Sequence, residues 1–205
     1  MMRIKELSVN DIVKLTYRFG KQESENDSEM LPVFSENTWN QIGFAPRLLC
    51  HRLGLIHKVV YLIIINEKKE LLIQVRGDGR ADVPVGGHVS SKDKSDIEAL
   101  IREAHEEIGI VFNKKDLELY KSYFQDTEAN AKKPHEINRE LRLLYHANIF
   151  LDDKKMEKAF MNRLEKKAVK MIKWVTYKDL NKMLESGEVA GGLKYSVPYI
   201  EELLK

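Results

Sequence analysis

Apolar residues recur along this chain in two rhythms, one of helical spacing and one of strand-like runs. Val9 to Phe19 is helical: Ile12, Leu15 and Phe19 share a face, Ser8 can cap the start and Gly20 can end it. The polar, acidic stretch Gln22 to Glu29 then reads as a linker or exposed loop. After Leu31 the pattern turns β-like. Val59 to Ile65 is an unbroken apolar run that predicts a buried strand, Asn66 to Lys69 predicts a turn, and Glu70 to Val75 predicts the returning strand. From Ser95 to Glu107 the rhythm is helical again, with Ile97, Leu100, Ile101, Ala104 and Ile108 as the expected buried stripe. Further strands are expected at Leu117–Gln125, Leu141–Phe150 and Val169–Val175. A charged surface helix is expected over Asp153–Lys166, with Met156, Phe160 and Leu164 on one face, and two final helices over Lys178–Leu184 and Val197–Leu204. The sum is a mixed α/β chain with helices packed outside a central sheet.

Composition narrows the function classes. A length of 205 residues suits one domain with an appendage. The 34 basic and 32 acidic side chains leave a formal charge of +2, which gives no support to nucleic-acid binding. Cys50 stands alone, so an internal disulfide is excluded and a reducing compartment is expected. Met1 to Glu6 lacks a signal-peptide core, and Val59 to Ile65 is too short to span a bilayer. The expectation is a cytoplasmic protein without a membrane or nucleic-acid partner.

The candidate chemistry sits on the Ser95–Glu107 helix. Glu103, Glu106 and Glu107 are related by three and four residues, so their carboxylates are expected to gather on the flank beside the apolar stripe. An acidic helix face is usually solvated surface. Here it follows an apolar run, the glycine turn Pro84-Val85-Gly86-Gly87-His88-Val89 and a polar loop, Ser90 to Lys94. Carboxylates that repel one another beside a buried face suit a hard divalent cation, magnesium or manganese, which keeps several waters and binds substrate phosphates.

Gly87 through Ile110 resembles the Nudix box, Gly-x5-Glu-x7-Arg-Glu-U-x-Glu-Glu-x-Gly-U with U apolar. The second half is Arg102-Glu103-Ala104-His105-Glu106-Glu107-Ile108-Gly109-Ile110. Asp93 stands at the first glutamate position, and the spacer is one residue longer than in the pattern. The resemblance implies a Nudix-like mixed central sheet with helices on both faces over residues 31–205, behind an N-terminal helical extension and linker over 1–30. It implies cleavage of a diphosphate linkage, with Glu103, Glu106, Glu107 and the Gly87 carbonyl holding magnesium and Arg102 orienting the glutamates. The general base is Glu103 or a residue outside the helix.

Ala45 to Lys58 and Leu71 to Arg76, around the long apolar strand, resemble isopentenyl-diphosphate isomerase and its hydrolase relatives. His51, His57, His88 and Glu140 fall at or near positions that bind a metal in the isomerase, but Gly86 stands where it has its catalytic cysteine and Asn138 where it has an acid. Without a thiol, alkene protonation lacks its partner, so a hydrolase is expected. The isomerase and a non-catalytic nucleotide-binding module are the alternatives. His51, His57 and His88 are read as hydrogen-bonded structural side chains, with a transition-ion site as the alternative. His105, His135 and His146 are read as structural.

Arg76, Arg80, Gly86 and Gly87 are the candidate substrate-binding positions, and Glu140, with Glu136 behind it, is a further candidate metal carboxylate or base. Trp39, Tyr145 and Trp174 are candidates to stack on a base, or else core. The partner expected is a small diphosphate substrate, and the N-terminal helix could serve a homodimer.

Overall fold

A computed structural model of the chain describes residues 29–127, 137–147 and 153–204. The expected N-terminal helix, most of its linker, and His135 and Glu136 lie outside the described residues. Nine strands and five α-helices are seen among the described residues: β1 (Met30–Phe34), β2 (Gln41–Pro46), α1 (Arg47–Leu53), β3 (His57–Ile63), β4 (Leu71–Arg76), β5 (Ala81–Asp82), β6 (Val85–His88), α2 (Asp96–Ile108), β7 (Leu117–Thr127), β8 (Asn138–Ala147), α3 (Asp153–Met161), β9 (Val169–Val175), α4 (Tyr177–Ser186) and α5 (Gly191–Leu204). The mixed α+β class is as expected. The strands form three sheets, ordered β1-β2, β6-β3-β8-β7 and β5-β4-β9. No helix among the described residues is long and apolar enough to cross a membrane.

The chain divides into two compact units, the first made of Met1–Val59, His88–Ser95 and Tyr123–Arg142, the second of Val60–Gly87, Asp96–Ser122 and Leu143–Lys205. In the first, β1 and β2 form an antiparallel hairpin with a bulge between Val33 and Phe34. Its inward side chains, Leu31, Val33 and Ala45, pack with Leu49 and Cys50 of α1 and with Leu55. Burial pushes the Cys50 thiol up to about 12, so it is an inert core residue. Gly54 ends α1 in the left-handed region at φ 62°. A Cβ there would stand 2.9 Å from the Ile137 side chain, so the turn needs glycine for both reasons.

In the second unit β4 pairs antiparallel with β5 and with β9. Ile63, Leu71, Ile73, Val83, Leu144, Leu180, Leu193 and Ile200 form its core, with α4 and α5 covering the apolar side chains of the strands. The turn before β4 closes as expected: Asn66 Oδ1 accepts from the amides of Lys68 and Glu70 at 3.0 and 2.9 Å. Lys69 sits there at φ 60°, a conformation that costs an L-residue about 1–2 kcal/mol. Replacing Lys69 with glycine relieves that strain against a smaller loss of unfolded-state constraint, so a net gain of about 0.5–1 kcal/mol is expected in urea unfolding. A loss of stability would show that the strain is absent.

Two helix boundaries depart from the sequence pattern. The helix expected through Lys166 stops at Met161, because the amides of Leu164 and Glu165 turn instead to the Glu106 carbonyl at 3.1 and 2.8 Å. The Arg163 guanidinium gathers the carbonyls of Phe160 and Val169 across that turn. The last helix begins at Gly191, not Val197, and continues through Pro198. Buried Asp82 accepts from the Leu193 amide at 2.7 Å and so satisfies an N-terminal donor that sequence neighbours leave open.

Candidate metal and active site

The carboxylate site belongs to the second unit. On α2 the buried positions are Ala99, Leu100, Glu103, Ala104, Glu107 and Ile108. This corrects the expected stripe: Ile97 and Ile101 are only half-buried, and Glu103 and Glu107 continue the Ala99 ridge into the interior. Hydropathy assigns a glutamate outward, so the pattern placed both on the flank. Glu106, a turn from Glu103, is half-buried.

Each carboxylate has a definite partner. Arg102 Nη1 donates to Glu103 Oε1 at 2.8 Å and to Glu106 Oε2 at 3.0 Å, so one guanidinium bridges two of the three acids. Glu107 Oε2 accepts from the Gly86 amide at 2.8 Å, and its other oxygen accepts from Gln74 Nε2 at 3.3 Å. Burial pushes the Glu107 carboxyl up to about 8, opposed by the Gly86 amide and reinforced by the Glu103 charge. Glu165, carried in by the turn onto the Glu106 carbonyl, adds to the same negative field.

The two glycines do different work. A Cβ on Gly87 would collide with the Glu103 carboxyl group, so the bare backbone is what lets that carboxylate lie against β6. A Cβ on Gly86 would stand 2.6 Å from the Tyr61 ring. Any side chain at 86, a cysteine included, therefore requires this ring to move, which gives a physical reason for the missing thiol.

The donor set suits a divalent cation with a preference for oxygen. Three carboxylates share one helix face, a guanidinium charge already stands between two of them, and the third stays ionised only against the cost of burial. The residues present therefore fit magnesium or manganese. Gln74, whose Oε1 is buried without a hydrogen-bond partner among the described residues, belongs to this site and is not singled out by the sequence reading. A glutamine in the middle of an apolar strand is the signal that could have found it.

Other candidates fall elsewhere. Arg76 is paired with Asp82 at 3.1 Å and Arg80 with Asp78 at 2.6 Å. Asp93 accepts from the Ser90 amide at 2.8 Å and closes the loop before α2. Tyr145 is buried, Trp174 donates to Asp153, and Trp39 meets Phe124 edge-on in the first unit. Glu140, also in the first unit, is buried against Arg142 at 2.7 Å.

The first unit holds a second cluster. His51 is near the end of α1, His57 opens β3 and His88 closes β6, with ring centroids 4.9–5.2 Å apart. His57 is fully buried, which pushes its imidazole down to about 4 and keeps it neutral at pH 7.

A family profile described as the NUDIX domain matches residues 55–192. This chain belongs to the NUDIX domain family, and its class is that of the Nudix-type hydrolases. Among solved structures it is similar to DR0079 of Deinococcus radiodurans, at 21% identity and TM-score 0.60, covering 84% of this chain and 99% of that one. It is also similar to the NUDIX domain of Shewanella oneidensis NrtR in complex with ADP ribose, at 15% identity and TM-score 0.51, covering 72% of this chain and 87% of that one. At these identities the likeness concerns the fold. No curated protein matches the sequence.

Proposed function

We propose that this chain hydrolyses the diphosphate linkage of a nucleoside diphosphate derivative, with magnesium held by Glu103, Glu106 and Glu107 beside the Gly87 carbonyl. One observation carries the reading: Glu107 lies buried on the same helix ridge as Glu103, where a carboxylate pair is costly unless a cation joins it. When bound, the ion neutralises charge on the phosphate oxygens and makes a bound water more acidic. Water attacks one phosphorus, the bond from that phosphorus to the bridging oxygen breaks, and the water's proton passes to a carboxylate. We assign that base to Glu103, the carboxylate that lies against the Gly87 backbone; Glu140 belongs to the first unit and is held in a buried pair with Arg142. Arg102 fixes the directions of Glu103 and Glu106. Arg76 and Arg80, 43% and 48% exposed at their side chains, are assigned to the substrate phosphates; each must leave its aspartate to serve.

The ADP ribose bound by the NrtR domain makes ADP-ribose the first compound to offer. A mixture of ADP-ribose, nucleotide sugars and dinucleoside polyphosphates with magnesium, followed by phosphorus NMR, is expected to show one component consumed, with turnover stopped by EDTA. In oxygen-18 water, label in one phosphate product identifies the phosphorus attacked. Tight nucleotide binding without any consumption would overturn the hydrolase reading in favour of a binding module. Turnover of isopentenyl diphosphate to its isomer would overturn it in favour of the isomerase.

A further inference from the structure

We propose that the turn between α3 and β9, in the second unit, is a docking surface for an anionic lipid bilayer. Its lysines meet the headgroup phosphates, and its protruding apolar side chains enter the boundary with the acyl chains. This departs from the expectation of no membrane partner, which rests on the lack of a spanning segment; a surface that lies against a bilayer needs none.

The charge of this region is uneven with the rest of the chain. Between 153 and 173 stand seven lysines and one arginine against three acids, Asp153, Glu157 and Glu165, a net of +5. The whole chain is only +2, so the remaining residues together carry −3. Lys158, Lys166, Lys167 and Lys170 are all exposed. Clustered lysines beside apolar surface are attracted to a membrane that carries negative headgroups.

Apolar exposure coincides with that charge. Val111 and Met161 at 68% and Leu164 at 63% are the most exposed large apolar side chains among the described residues. The fold gathers them at one junction. A Cβ on Gly109 would collide with the Ala159 carbonyl, so the end of α2 lies against the end of α3, and Val111 follows two residues on. Met171, exposed on β9, continues the apolar surface beyond Lys170.

The turn is held firmly from within. Buried Arg163 stacks on the Phe160 ring at 3.7 Å and donates to the carbonyls of Phe160, Lys166 and Val169 at 2.7, 3.4 and 2.8 Å. The Gly77 amide donates to the Ala168 carbonyl at 2.7 Å. These bonds fix the backbone while Met161, Leu164, Lys166 and Lys167 stay outside, so docking orders little that is not ordered already.

Other occupants fit less well. A second copy of the same patch brings like charges together. Single-stranded nucleic acid is held by aromatic side chains on which bases stack, whereas Phe160 is half-buried beneath Arg163. The aliphatic tips of Val111, Met161 and Leu164 gain nothing from a phosphate backbone, but at a bilayer they leave water.

The test sediments the full-length chain with vesicles of pure phosphatidylcholine, or of phosphatidylcholine mixed equally with phosphatidylglycerol. Binding to the mixed vesicles alone is expected, weakening by about tenfold or more as salt rises from about 0.05 M to about 0.5 M. Lys158→Gln, Lys166→Gln and Lys167→Gln together are expected to weaken it by about tenfold or more. Met161→Ser with Leu164→Ser should do the same. Melting temperatures should hold in both variants, because all five side chains are exposed. Leu164→Trp supplies a second measurement: brominated acyl chains are expected to quench its fluorescence beyond that of the parent. Equal binding to neutral and anionic vesicles, sedimentation with neither, binding kept in the lysine variant, or no added quenching at position 164 would each overturn the surface. So would a concentration-dependent dimer, formed without lipid, that Leu164→Ser dissolves, since a second copy then covers the patch.

Discussion

Replacing Glu107 with glutamine is expected to cut diphosphate turnover by roughly a thousandfold or more while making the metal-free protein more stable at pH 8 and above. The two effects share one cause. Burial and the neighbouring Glu103 charge hold the Glu107 carboxyl near 8, against an ordinary value of 4.5. A carboxyl raised on folding contributes stability that is whole below the unfolded value and is lost as pH climbs through the folded one. The metal-free native state should therefore weaken between about pH 4.5 and 8. Magnesium is expected to restore stability at the upper end by binding the ionised form. Glutamine has no charge to bury. Its oxygen can still accept from the Gly86 amide, and once the Gln74 amide turns over its own amide group can donate to Gln74 Oε1, which has no hydrogen-bond partner among the described residues. Urea unfolding across this pH range, with and without magnesium, measures the stability, and phosphorus NMR measures turnover. Unchanged turnover, or a variant less stable than the parent at pH 8.5 without metal, would remove Glu107 from the proposed site.

The second large effect separates two adjacent glycines. Alanine at 87 places a methyl group where the Glu103 carboxyl lies. The end of a glutamate is flexible, so the fold is expected to survive with its melting temperature within a few degrees. The displaced carboxylate should cost turnover about a hundredfold or more and raise the magnesium concentration needed for half-activity. Alanine at 86 meets the edge of the Tyr61 ring at 2.6 Å. Tyr61 packs against the core of its unit, and overpacking there costs about 1–3 kcal/mol. The main expected loss at 86 is therefore stability, and at 87 it is metal-dependent catalysis. Equal loss of stability in both variants would mean that Gly87 is a packing residue and not part of the site.

Much of this molecule is legible in its residue pattern. The turn at Asn66 to Lys69, the strands on either side of it and the strand over Val169–Val175 follow from local rhythm, because a run of apolar side chains or an asparagine turn states its own geometry. The acidic helix and its Arg-Glu-x-x-Glu-Glu order are equally local, and Arg102 bridges two of the glutamates in the fold.

What local rhythm leaves open is where a polar side chain ends up, since that depends on residues distant in the chain. Glu103 and Glu107 are interior because a strand with bare glycines lies against them, and Gln74 joins them from 33 positions away. The last helix starts at Gly191 because Asp82 accepts from the Leu193 amide, 111 positions later in the chain. Residue order alone does not say how near His51, His57 and His88 come to one another. In the fold, the turn at Gly54 and the pairing of β3 with β6 bring one ring nitrogen of each within 4.8 Å of the other two. Residue order determined the helices, the strands and the class of chemistry, because periodicity and charge spacing act within a turn or two. Tertiary structure decided which charges are buried and which nitrogens converge, because desolvation and coordination depend on the side chains that folding gathers around each group.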